Sequence, residues 1–89
     1  MVYDVKIKKK LERHLKKLPL TIQKIFSRLV LDLRDRGPEQ PSWPNYSKLS
    51  ENEYHCHLGY SWVACWKHEK QSIIIEVYYV GRREKAPYQ

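Results

Sequence analysis

The chain opens on a two-residue alternation. Tyr3, Val5 and Ile7 fall on one side and Asp4 and Lys6 on the other, which predicts a short strand over residues 2–7 with one buried face. The spacing then changes. Leu11, Leu15 and Leu18 recur at four and three residues, so residues 8–18 read as a helix, and Pro19, which has no N–H to give, ends it. Ile22, Ile25, Phe26, Leu29, Val30 and Leu33 form a second, longer apolar stripe. Thr21 is the expected N-cap of that helix and Gly37-Pro38 its stop. Two helices joined this tightly predict an antiparallel hairpin.

Pro38, Pro41 and Pro44 punctuate residues 37–50, an expected ordered loop from the helices to a sheet, with Lys48-Leu49 anchoring its end. Beyond it the pattern is β. Residues 54–58, 62–67 and 72–80 are rich in aromatic and β-branched side chains, with Gly59-Tyr60-Ser61 and His68-Glu69-Lys70-Gln71 as turns. The order predicts an α+β fold: an N-terminal strand, an α-helical hairpin and a three-stranded antiparallel meander, with the helices packed on one face of the sheet. Eighty-nine residues suit one domain spanning 1–89.

Alternation also predicts which face is open. With Tyr60 and Ser61 as the central turn residues, Cys56 lies opposite Cys65. Tyr54, Leu58, Val63 and Cys65, joined by Ile73, Ile75, Val77 and Tyr79, then face the helices. The other face carries His55, His57, Trp62, Trp66, Glu76 and Tyr78, a set of imidazoles, indoles and a carboxylate with no evident cover. The cysteines are expected in the core as small apolar residues. His55-Cys56-His57 looks ligand-rich, but consecutive strand residues point to opposite faces, so no metal site is expected.

Charge narrows the partners. Seventeen Lys and Arg against ten Asp and Glu give a formal charge of +7, and the sequence pI is about 9.5. A domain this basic favours polyanions such as RNA or DNA. Apolar stretches such as Ile73-Ile74-Ile75 are far too short for a bilayer, so no membrane association is expected. MVYDVKIKKK lacks the apolar core of a signal peptide. The expected location is the cytoplasm, with both cysteines reduced.

Two segments carry a resemblance: Tyr54-His55-Cys56-His57-Leu58-Gly59, and residues 75–88, which read IEVYYVGRREKAPY. With the helical hairpin and basic charge they resemble the RelE/ParE toxin superfamily over nearly the whole chain. The resemblance implies a RelE-like toxin of a type II toxin–antitoxin system. Such a toxin enters the ribosomal A site, cuts mRNA there and is neutralised by a cognate antitoxin. The ribonucleases of the family use the RNA 2′-hydroxyl to attack the adjacent phosphate, leaving a 2′,3′-cyclic phosphate, with no small-molecule cofactor. His55 and His57 stand where better-studied members place two lysines, and an imidazole titrating near about pH 6.5 suits proton transfer. Arg83 matches the phosphate-contacting arginine after Val-Gly, and Tyr88 the terminal tyrosine that stacks on or orients the substrate base.

One position departs. The family often has an arginine after a Gly-Tyr turn, whereas Gly59-Tyr60 is followed here by Ser61 and Trp62. Arg82, Lys85 and Lys48 are candidates to compensate on RNA, and Trp62 and Trp66 are candidate stacking platforms. Lys8, Lys9, Lys10, Arg13, Lys16 and Lys17 offer charge for rRNA phosphates. Two other functions stay open: a ParE-like toxin that inhibits gyrase by binding, and a catalytically weak RNA- or ribosome-binding relative, which the missing arginine favours.

Overall fold

The computed structural model describes residues 2–88. Its elements run β1 (Asp4–Ile7), α1 (Lys9–Leu15), α2 (Leu20–Arg36), β2 (Ser47–Lys48), β3 (Glu53–Gly59), β4 (Trp62–His68), β5 (Ile74–Arg82) and a 3₁₀ turn (Arg83–Lys85). The expected α+β architecture is present, as a five-stranded mixed sheet in the order β1-β5-β4-β3-β2. β1 lies parallel to β5, a pairing that requires a long crossover, and the other neighbours are antiparallel.

In β1, Val5 and Ile7 pack towards the core, while exposed Asp4 and Lys6 form an ion pair of 3.2 Å. The helix that follows is shorter than its leucine spacing predicts. It ends at Leu15, and a turn then delivers Leu18 into the core. The expected N-cap of α2 is corrected. Pro19, not Thr21, holds that position, and its carbonyl accepts the Ile22 and Gln23 N–H groups. A proline loses nothing at a helix start, where its missing N–H has no intrahelical partner. Of the α2 stripe, Ile22, Phe26, Leu29 and Leu33 are buried, with Ile25 and Val30 half-buried beside them.

Gly37 stops α2 with φ 93°, and a Cβ there would sit 2.9 Å from the Tyr3 ring. The loop that follows is tied down. Gln40 Nε2 donates to the Asp32 and Gly37 carbonyls, and Trp43 Nε1 donates to Asp32 Oδ2 at 2.8 Å. Tyr46 stacks with Tyr54 and Trp66. The loop then supplies the two-residue edge strand β2, which its proline content concealed.

Two bulges decide which residues face the helices. The Tyr60-Ser61 turn is as expected, with Gly59 opposite Trp62, but His57 then pairs with Val63, leaving Leu58 as an extra residue. Every later pair shifts by one, so Cys56 meets Ala64 and His55 meets Cys65. The expected β4 face is therefore inverted. Ala64 and Trp66 join Tyr54, Cys56 and Leu58 in the core, whereas Val63 and Cys65 take the opposite side. The cysteines are both buried, but across the sheet from one another rather than face to face. A second irregularity leaves Tyr78 extra between the Trp66–Val77 and Cys65–Tyr79 pairs. Ile75 and Val77 are core as expected and Val80 joins them, whereas Tyr79 pairs with Cys65 on the other face and Ile73 is exposed. Among the described residues no helix is long and apolar enough to cross a membrane.

Candidate active site

His55 and His57 are two apart on β3, alternating with core residues Tyr54, Cys56 and Leu58, so both point away from the helices. Their ring centroids lie 5.8 Å apart at 63°. His55 is only 8% exposed. Ser47, its partner on β2, places Oγ 3.0 Å from Nδ1, and the Tyr88 ring covers it with a centroid distance of 4.6 Å. Burial lowers its pKa below the usual imidazole value; the contact with Ser47 opposes this and the neighbouring His57 adds to it.

His57 is half-buried and held from the loop before β2. Its backbone N–H donates to the Pro44 carbonyl at 2.8 Å, and the Asn45 amide nitrogen lies 3.3 Å from Nδ1. Asn45 has φ 51°, a left-handed conformation that asparagine tolerates better than most residues. Burial, and then the positive charge of Arg83, lower the His57 pKa. The ring is therefore mostly neutral at pH 7, the form able to accept a proton.

The C-terminal segment completes this face. After β5 the Arg83 N–H donates to the Ser61 carbonyl at 2.8 Å, the 3₁₀ turn reverses the chain, and Ala86 is buried. The Arg83 guanidinium lies 5.5 Å from the Tyr60 ring centroid. Burial raises the pKa of the Tyr88 hydroxyl, with Cys65 adding and Arg83 opposing. His55, His57, Arg83 and Tyr88 are thus brought together, although the chain separates the histidines from the last two by more than twenty residues.

Several members of the site gave no sequence signal. Ser47 and Asn45 sit in the loop and its short strand, where no periodicity marks them. The Tyr79 hydroxyl donates to the Arg82 carbonyl at 2.7 Å and fills the space above Gly81. Tyr78 donates to Glu53 at 2.7 Å and lies beside Cys65, whose thiol burial pushes up to about 12. That thiol stays protonated and unreactive near neutrality. Glu53 and Tyr78 lie beyond the histidines along the sheet and brace it.

Other expected residues lie elsewhere. Trp66 is fully buried in the core, where its indole N–H donates to the Pro38 carbonyl at 3.0 Å, so it offers no face to RNA. Trp62 packs against the core under the Arg82 guanidinium, 5.3 Å from its centroid, and is not on the open face as expected. Lys48 reaches over the Tyr54 ring, 5.7 Å from its centroid, on the helix side of the sheet and away from the histidines. Arg82 also pairs with Glu84 at 3.6 Å, and Lys85 is exposed on the 3₁₀ turn. Among the described residues no three His, Cys, Asp or Glu side chains cluster as metal ligands.

The solved structure of an archaeal RelE–RelB complex from Pyrococcus horikoshii OT3 contains a chain of the same fold. The TM-score is 0.76 at 19% sequence identity, over 97% of this chain and 100% of that one. The fold is RelE-like, as the sequence resemblance led us to expect. No protein-family model matches the chain, and no curated protein matches its sequence.

Proposed function

We propose that the protein is the toxin of a toxin–antitoxin pair, an endoribonuclease that cuts mRNA in the ribosomal A site, acts in the cytoplasm and is held inactive by a cognate antitoxin. The observation that carries this reading is the meeting of His55, His57, Arg83 and Tyr88 on the face of the sheet opposite the helices. The fold shared with a chain of a RelE–RelB complex supports the antitoxin partner.

In the proposed reaction the RNA 2′-oxygen bonds to the adjacent phosphorus, the bond from phosphorus to the 5′-oxygen breaks, and a proton passes from the attacking to the leaving oxygen. His57 is the proton acceptor, being neutral near pH 7 and more open than His55. Asn45, whose amide nitrogen lies 3.3 Å from Nδ1, orients the ring. Arg83 offsets the charge that builds on the phosphorane. Tyr88 supplies an aromatic face for a substrate base, and His55, beneath it, holds that ring in place. No redox step or cofactor is required.

Ser61 and Trp62 stand where the family often has an arginine, and Trp62 is committed to the core. That observation favours a second reading, a relative that binds ribosomes and cuts slowly. A reconstituted translation system separates the two. The ribonuclease reading predicts mRNA cut within the A-site codon, slowed about tenfold or more by His57→Ala and by Arg83→Ala. Stalled ribosomes on intact mRNA would support the second reading. Untouched translation with inhibited gyrase supercoiling would overturn both in favour of a ParE-like toxin.

A further inference from the structure

A cleft of about 860 Å³ opens beside His57, at the stretch of the β3 edge that β2 is too short to cover. Its floor is apolar, from Ile25 and Leu58, and Trp43 forms one wall. That indole is fixed before any ligand arrives, because its N–H donates to Asp32 Oδ2, which also pairs with Arg36 at 2.9 Å. Tyr60 stands on the rim, 86% exposed, with the Arg83 guanidinium against its ring. Arg28, one helical turn before Asp32, lines the mouth and has no hydrogen-bond or ion-pair partner among the described residues.

We propose that this cleft is the subsite for a nucleobase next to the scissile phosphate, held against Trp43 and Tyr60 with its own phosphate on Arg28. The proposal rests on the RNA-cleaving reading and deepens it. Three observations converge on this occupant. The size is within the usual range for sites that enclose a small ligand. Aromatic walls with a nearby guanidinium match a base and its phosphate, since each base has a π-face and each linkage an anion. The cleft also has His57 in common with the proposed catalytic face, so the two adjoin at that residue. Asp32 also lines the cleft, a carboxylate able to accept from base amino or imino groups and so a basis for codon preference.

The test is amide and indole NMR on the full chain, titrated with a trinucleotide whose first and second riboses lack the 2′-hydroxyl, which leaves neither linkage cleavable. The expected result is a shift of the Trp43 indole N–H and Gly59 amide that saturates together with His57. Arg28→Ala and Tyr60→Ala, both at exposed positions, weaken binding at least about fivefold, and an abasic trinucleotide leaves the Trp43 indole unmoved. Equal shifts from abasic and natural trinucleotides, or a Trp43 signal that never moves, overturn the subsite. A chain that shows the expected shifts but leaves ribosomal mRNA whole keeps the subsite and loses the ribonuclease reading. A chain that cuts mRNA with Trp43 silent loses the subsite alone.

Discussion

Burial and a neighbouring guanidinium act in the same direction on His57, and only the second can be removed without repacking the sheet. Burial is the larger cause. Removing the Arg83 charge therefore raises the His57 pKa towards the ordinary value without exceeding it. Titration of the ring protons by NMR should show this upward shift in Arg83→Gln. The acidic limb of the cleavage rate should move to higher pH with it, since the proposed base must be neutral. An unchanged His57 titration would mean that Arg83 stands away from it in solution. Asn45 belongs to the same set. If its side-chain contact orients the His57 ring, Asn45→Gly, which keeps the positive φ, slows cleavage while leaving the fold intact, because Asn45 is exposed and the His57 backbone bond to Pro44 remains.

At the scale of elements, two single-residue bulges separate the predicted faces from the real ones. Strand positions, the Tyr60-Ser61 turn and the outward direction of His55 and His57 all follow from alternation, because β3 keeps strict alternation from Tyr54 to Leu58. Nothing in the local pattern marks Leu58 as an extra residue: it is apolar, and either register buries it. The consequence falls on β4, where Val63-Ala64-Cys65-Trp66 is apolar throughout and so cannot report its own phase. Trp66 makes the error testable. A fully buried indole with a bonded N–H predicts that Trp66→Ala costs about 3–5 kcal/mol in urea unfolding, a large share of an ordinary domain's stability. A variant of unchanged stability that loses RNA binding would return the indole to the open face. The β2 strand was hidden for a different reason. Two residues carry no period, and only their pairing with Tyr54 and His55 defines them.

For the whole molecule, the sheet divides the labour. One face holds α2 and the hydrophobic core; the other is left to the histidines and to a C-terminal segment folded back across it. The site is therefore built from the loop before β2, from β3 and from the end of the chain, on a rigid central sheet. Net charge of +7 suits approach to a ribosome. The measurement that reaches the central claim most directly is end-group analysis of mRNA recovered from ribosomes treated with the protein. This account predicts A-site fragments ending in a 2′,3′-cyclic phosphate and beginning with a 5′-hydroxyl, with His57→Ala suppressing both. Fragments ending in a 3′-hydroxyl, or cleavage indifferent to His57, would contradict it.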